Sequence, residues 1–337
     1  MTELVAAPTL TTVREAARAV ITRQARELRR HERAVTRAGA PGPIHDMRVA
    51  TRRLRAALAV FHSVAVLPKA ARRPRLRWLA RQLGRVRDLD VRTALLAERY
   101  LPAVAGREAA RVDRLVAEFT AERRQAHHRL RKGLARPRYR KLRSALAAWV
   151  RRAAFADGED TGAARFMADA VDRAAQRVGS HEAMHDRHPT AAALHDLRIA
   201  VKRLRYTLDF HADTCGLAFD AERAVARDLQ DCLGEMRDHD LLFARLAEDG
   251  AGAWPQLSAL VAEGRMKLWR RLLQVRRRWF ARTRPAPTVA PLEEPRFVHL
   301  EVTPVQLRLV SAAVSRRPSA VRTTPSARRG LPLMADG

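Results

Sequence analysis

His45, Arg48, Arg52 and Arg55 stand at i, i+3, i+7 and i+10, and His195, Arg198, Lys202 and Arg205 rebuild that spacing 150 residues later. On a helix turning about 100° per residue, with His45 at zero, the three arginines fall near 300°, 340° and 280°. They form one narrow stripe about 15 Å long. A guanidinium is a planar fork that grips two phosphate oxygens at once, and an imidazole can donate to another. The chemistry this pattern could do is to hold an extended anion. Four like-signed groups on one face repel each other and weaken an isolated helix, so stability alone would place Glu among them. A solvated Arg-rich face is the alternative for either stripe taken singly, and recurrence at a fixed offset argues against it. His45 is further expected in the first helical turn, where free N–H groups and the helix dipole favour anions.

The duplication extends beyond the stripes. Between positions 45 and 58, eight of fourteen residues are identical to their counterparts 150 further on. A second block recurs at the same offset, Leu83-Gly84-x-x-Arg87-Asp88-x-Asp90 and Leu233-Gly234-x-x-Arg237-Asp238-x-Asp240. Its carboxylates admit two readings, a metal site or the orientation of basic side chains. Two acids per site with no added His or Glu is poor metal chemistry, so the orienting role is expected for both blocks. Asp46 with Arg53, and Asp196 with Arg203, lie seven apart on another face and are expected to be ion pairs between helices.

The elements that carry these residues read as helices. Ala, Leu, Arg and Glu dominate, Gly is scarce at 15, and no stretch before residue 285 alternates with period two. Helical pattern runs from about 13 to 35 and breaks at Gly39-Ala40-Pro41-Gly42-Pro43. It resumes from His45 to about 64, then through Leu76, Leu79, Leu83 and Val86 to Leu95, from 108 to 134, and from 139 to 155. Asp157-Gly158-Glu159-Asp160-Thr161-Gly162 is small and polar, a domain boundary. The second half repeats the order at 163–184, 194–210, 219–246 and 254–280. The expected body is all-α, four helices per repeat, over about 11–156 and 161–282 after a ten-residue leader. Residues 281–337 hold eight of the 17 prolines among Arg, Ser and Thr, so 283–337 reads as a flexible basic tail.

Charge sets the class of partner. Lys and Arg total 65 against 36 Asp and Glu, a formal +29, and only five of the 65 are Lys. Much of the Arg bias fits a GC-rich genome, yet so large a charge opposes compaction unless an anionic partner offsets it. The segment 281–337 carries +5, which leaves +24 on residues 1–280. Two cysteines, Cys215 and Cys232, are too few for a disulfide framework or a Cys-rich zinc site. No apolar run suggests a membrane span, and the N-terminus lacks a signal-peptide pattern. The expectation is a soluble, cytoplasmic protein.

Several other patterns compete for attention. His181-Glu182-Ala183-Met184-His185 spells H-E-x-x-H, the zincin signature, but no third ligand follows and repeat one has Val35 in place of the second His. His45-Asp46 and His195-Asp196 resemble the ligand pairs of HD-type phosphohydrolases, whose metal the adjoining cations would oppose. His127-His128 point to different faces and read as solvated. A nucleic-acid binder would share the same electrostatics. Against it, the stripes have no interleaved aromatics for a single strand and no Asn or Gln to read bases.

At the paired stripes the chain resembles the CHAD family, the conserved histidine α-helical domain, whose pattern H-x-x-R-x-x-x-[KR]-x-x-R both copies satisfy. The L-G-x-x-R-D-x-D block is similar to the family's, as is Pro137-Arg138-Tyr139-Arg140-Lys141-Leu142 through Ala148-Trp149. The resemblance covers about residues 11–282. It implies two four-helix bundles related by a pseudo-twofold axis with a basic channel between them. It also implies non-catalytic binding of inorganic polyphosphate, often at polyphosphate granules. The E-x-E-x-K signature of the triphosphate-tunnel domain that many relatives carry is absent here. No cofactor or resident metal is expected, and no enzymatic activity. Nucleic-acid binding, and less so a metal-dependent phosphohydrolase, remain the alternatives.

Overall fold

In the computed structural model the described residues are 11–283, apart from 38, 159, 217, 218 and 251. The N-terminal leader and the Pro/Arg-rich tail expected from the sequence lie outside them. Ten α-helices follow in order: α1 (Val13–Arg37), α2 (Pro41–Val60), α3 (Arg73–Ala94), α4 (Gly106–Ala135), α5 (Pro137–Arg151), α6 (Ala163–Gly179), α7 (Glu182–His185), α8 (Ala191–Cys215), α9 (Asp220–Ala247) and α10 (Pro255–Thr283). The all-α reading holds. The sheet seen among the described residues is one two-residue antiparallel pair, Ala65–Val66 with Ala154–Phe155.

Local chemistry sets the helix starts. Thr12 and Glu15 form a reciprocal box at α1: Glu15 Oε2 accepts from the Thr12 N–H at 3.2 Å, and Thr12 Oγ1 accepts from the Glu15 N–H at 3.2 Å. The Thr190 hydroxyl accepts from the Ala193 N–H at 3.1 Å and caps α8. Proline opens α2, α5 and α10, where its fixed φ suits the first turn and its missing N–H is not needed. The expected break at 39–43 is therefore shorter than it reads, because Pro41, Gly42 and Pro43 are already helical.

Packing follows the duplication. In repeat one α1 packs on α2, α2 on α3, α3 on α4, and α4 touches α1; in repeat two α6, α8, α9 and α10 pack in the same order and α10 touches α6. The extra helix α5 lies against α1, α3 and α4. One core joins α1, α2, α3, α5 and the end of α4, with Tyr206 and Phe210 of α8 included. A second fills α6, α8, α9 and α10. A third, which two separate bundles would not have, is shared between the repeats. Leu96, Tyr100, Val112, Leu115 and Phe119 meet Leu242, Leu246, Trp254, Leu257 and Val261 there.

Backbone bonds also cross between equivalent positions. The Val13 N–H donates to Thr161 O and the Ala163 N–H to Thr11 O, each at 3.0 Å, so positions one repeat apart exchange bonds. At the other end Glu108 of α4 is buried and takes the free N–H groups of α10, Leu257 at 2.7 Å and Gln256 at 3.1 Å. Gln256 returns a bond, accepting from the Ala105 N–H at 3.0 Å. Helix starts from the two repeats thus cap each other. Replacing Glu108 with Ala leaves two donors unsatisfied, the Leu257 N–H buried and the Gln256 N–H partly so, and we expect a loss of roughly 2 kcal/mol. Thermal and urea denaturation of Glu108→Ala beside the parent chain would show it, and a change within experimental error would mean water replaces the carboxylate.

Candidate functional site

Helices α2 and α8 pack against each other. Their apolar faces are buried, Leu54 and Leu58 on α2 and Val201, Leu204 and Leu208 on α8. That burial fixes the rotation of both helices and leaves the stripes on the opposite arc. The two stripes meet. Arg52 of α2 lies within electrostatic reach of Arg198 and Arg205 of α8, and Lys202 of α8 within reach of Arg48 and Arg52. Arg52 and Arg205 both place their guanidiniums over the ring of Tyr206, at 5.5 and 4.9 Å from its centroid. Such stacking holds the forks in a fixed plane without a carboxylate to neutralise them.

Each histidine sits in an equivalent cationic setting. Partial burial lowers the pKa of His45, with Arg87, Arg52 and Arg48 adding to the effect against Asp46. Burial does the same to His195, aided by Arg237, Arg198 and Lys202. Both rings are biased toward the neutral form in the free protein, and a nearby phosphate would reverse the sign of their environment. Lys202 shows the strongest effect. Desolvation first, then the charges of Arg198, Arg52 and Arg48, push its amine from 10.5 down to about 7, against the opposing pull of Asp88.

The helix-terminus part of the sequence expectation fails. With α2 starting at Pro41 and α8 at Ala191, both histidines sit one turn inside their helices. Pro41 and Pro43 have no N–H to offer, and the Ala193 N–H already binds Thr190. Any anion held here would be gripped by side chains, not by the helix terminus.

The second repeated block divides in two. Asp88 approaches Arg48 at 3.8 Å, and Asp238 stands within reach of Arg198, Asp88 and Arg48, its own pKa raised by desolvation. These two carboxylates lie among the stripe cations, as an orienting role requires. Asp90 and Asp240 do not. They bind Arg123 of α4 and Arg265 of α10 at 2.6 Å each, tying α3 to α4 and α9 to α10. Arg123 also donates to Gly39 O, which anchors the entry to α2. Gly39 has φ +60°, and a Cβ there would strike the His127 ring at 2.3 Å. His127, expected to be solvated, is half-buried and bonds Val35 O at 2.9 Å.

Other expectations are redirected as well. Arg53 does form an inter-helix ion pair, but with Asp209 at 3.2 Å and Asp213 at 3.4 Å on α8, while Asp46 approaches His31 at 3.8 Å. Arg203 is exposed and has no ion pair with Asp196. In the H-E-x-x-H segment His181 caps α7 by accepting from the Ala183 N–H, and His185 donates to Gly179 O at 2.6 Å. Both rings already serve the local backbone. Among the described residues no group of three His, Cys, Asp or Glu is placed to hold a metal ion. Nor is any helix there long and apolar enough to cross a membrane.

Two features of the site escaped the sequence reading. Tyr206 has Ala56 as its counterpart, so a search for duplicated residues passes over it. Arg73, Arg77 and Arg81 on α3 surround Arg55 electrostatically, and their i, i+4, i+8 spacing could have revealed them. The charges that act most on Arg55 belong to this α3 group.

The comparisons agree with the fold. The family model for the CHAD domain matches residues 19–247, and the chain belongs to this family. The crystal structure of the CHAD domain from the plant Ricinus communis is 28% identical, with a TM-score of 0.62 over 82% of this chain and 95% of that one. PptA from Streptomyces chartreusis is 17% identical, with a TM-score of 0.60 over 80% of this chain and 98% of that one, a likeness of fold alone. Comparison with curated protein sequences gives no significant match.

The lowered pKa of Lys202 has a consequence for the free protein. Between about 7 and 10.5 the unfolded chain holds a proton that the folded one has released. Folding stability therefore rises with pH across that window, and the destabilisation is fully present below it. Lys202→Met should be more stable than the parent at pH 7, by roughly 1 kcal/mol or about 2–4 °C in Tm. The gap should close by pH 10. Melting curves of both chains across this range test it, and a variant less stable at pH 7 would mean the amine is held by unrecognised acceptors.

Proposed function

We propose that the chain binds inorganic polyphosphate without cleaving it, along a basic channel between its two repeats. The observation that carries this reading is the convergence of Arg48 and Arg52 with Arg198, Lys202 and Arg205 across the α2–α8 packing. A cluster of cations that includes a half-buried Arg52 and a half-buried Lys202 destabilises the empty fold, and only a dense anion reverses that. The family points to polyphosphate as that anion. His45 and His195 donate to phosphate oxygens once protonated, and Asp88 and Asp238 orient Arg48 and Arg198. The exchange of bonds between Val13, Thr161, Ala163 and Thr11 supports a pseudo-twofold relation between the repeats. A twofold arrangement would let one linear ligand meet equivalent stripes in succession. Location at polyphosphate granules belongs to the same reading.

Both stripes then line one site. Neutralising Arg48, Arg52 and Arg55 together, or Arg198, Lys202 and Arg205 together, should each weaken binding strongly. Single removals should cost on the order of 1.5–3 kcal/mol where the contact is charge-assisted and partly desolvated. A fluorescence or calorimetric titration with long-chain polyphosphate measures this, and either triple variant binding like the parent sinks the shared site.

Binding should also take up protons. Phosphate beside Lys202, His45 and His195 raises pKa values that the empty site holds down, so the complex carries more protons than its parts. Affinity then falls as pH rises through 7 and above. Calorimetry in buffers of different ionisation enthalpy counts the protons, and Lys202→Arg should take up fewer. Equal uptake by the variant would remove Lys202 from the site. As a binder, the purified chain with Mg²⁺ should neither shorten polyphosphate nor release phosphate from ATP. It should keep its grip after a chelator, since Arg and His⁺ need no metal. Phosphate release abolished by replacing His45 or His195 would identify a hydrolase instead.

A further inference from the structure

The outer face of α1 carries a second set of arginines that the α2–α8 cluster does not use. Arg26, Arg29, Arg30 and Arg33 stand at i, i+3, i+4 and i+7, all exposed, and with Glu32 and Arg143 of α5 they line a cleft of about 410 Å³. Arg26, Arg29 and Arg33 have no carboxylate within ion-pair distance among the described residues. Arg30 approaches Glu27 at 3.8 Å, and Arg143 meets Glu32 at 3.0 Å. The duplicated scaffold does not demand this face. At the same offset of 150, repeat two has Gln176, Gly179, Ser180 and Ala183 in place of the four α1 arginines. The basic face was thus added to, or kept by, one repeat only.

We infer that this cleft is a separate binding site for the phosphate backbone of a nucleic-acid duplex. Guanidiniums free of carboxylate partners are matched to phosphate oxygens by charge and by fork geometry. The four α1 arginines span about 10 Å of helix, within which a duplex presents several phosphates along one groove edge. None of the lining residues is aromatic, and Tyr139 nearby on α5 is buried, so a single strand finds no stacking platform. With no Asn or Gln in the lining, recognition is of the backbone and indifferent to base sequence. The chain would then hold a duplex on α1 while the α2–α8 cluster holds its own anion.

The test uses the full chain, a fluorescently labelled duplex of about 20 base pairs, and anisotropy titrations over a range of salt. Arg26→Gln, Arg29→Gln and Arg33→Gln combined should lower duplex affinity by about tenfold or more at moderate salt. The log–log salt slope should fall by roughly 3, near 0.9 per lost contact. Polyphosphate affinity of this variant should stay within about twofold, while the variant neutralised at Arg48, Arg52 and Arg198 keeps its duplex binding. Unchanged duplex affinity in the α1 variant overturns the inference. So does duplex binding that follows the α2–α8 variant, which would place the duplex in that cluster. Loss of polyphosphate affinity in the α1 variant would make the cleft part of one polyanion track, and preferential binding to anionic vesicles would make it a lipid site. The duplex arm stands whether or not the α2–α8 cluster binds polyphosphate.

Discussion

The structure turns on a conflict between apolar packing and charge at α2 and α8. Burying Leu54 and Leu58 in one core and Val201, Leu204 and Leu208 in another fixes the rotation of each helix, and that rotation brings like charges together where the two helices pack. Two unit charges about 8 Å apart repel by about 2 kcal/mol at an effective dielectric of 20. A handful of such terms rivals the whole net stability of a domain. The fold meets this repulsion around the cluster and leaves the cluster itself only partly neutralised, by Asp88 and Asp238. Arg53 reaches Asp209 and Asp213 on the neighbouring helix, Phe61 stacks on Phe166 at 5.8 Å across the repeats, and Tyr206 offers its ring to two guanidiniums. Acids that could neutralise the stripe fully are spent elsewhere, Asp90 on Arg123 and Asp240 on Arg265.

Those two ion pairs clarify what the repeated R-D-x-D block is for. Its first Asp faces the stripe cations and its second holds the next helix, so one short segment of α3 or α9 registers the site against the frame. The spacing is suited to this. Two residues apart on a helix are about 200° apart, which sends the carboxylates to nearly opposite sides.

Helical period and the offset of 150 were enough to locate nine long helices and both stripes. They were blind where a property depends on which faces meet. Tyr206 has no duplicated partner, so comparison of the halves hides it. The shared core of Leu96, Tyr100, Leu242 and Trp254 was not legible because periodicity marks an apolar face without naming its neighbour. Asp46 and Arg53 were seven apart on one helix, and their partners came from other helices entirely. The start of α2 was misplaced because Pro41 and Pro43 look like breakers, although proline in a first turn is at ease there. That small shift puts His45 one turn inside α2, as the Ala191 start of α8 does for His195, and leaves any anion contact to side chains.

Duplication also makes the chain its own comparison. Where the halves agree, at His45 and His195 or Arg48 and Arg198, a shared demand has acted on both. Their disagreements are directional. Helix α3 carries seven Arg against two Asp, whereas its counterpart α9 carries four Arg against seven acids. Arg55 is surrounded by Arg73, Arg77 and Arg81, while Asp231 stands where Arg81 has its equivalent. The two ends of the paired stripes therefore present unequal fields, one strongly cationic and the other moderated by acids. A linear polyanion bound along them would meet its deepest potential on the repeat-one side, so a fold built from equivalent halves need not treat the two ends of its ligand alike.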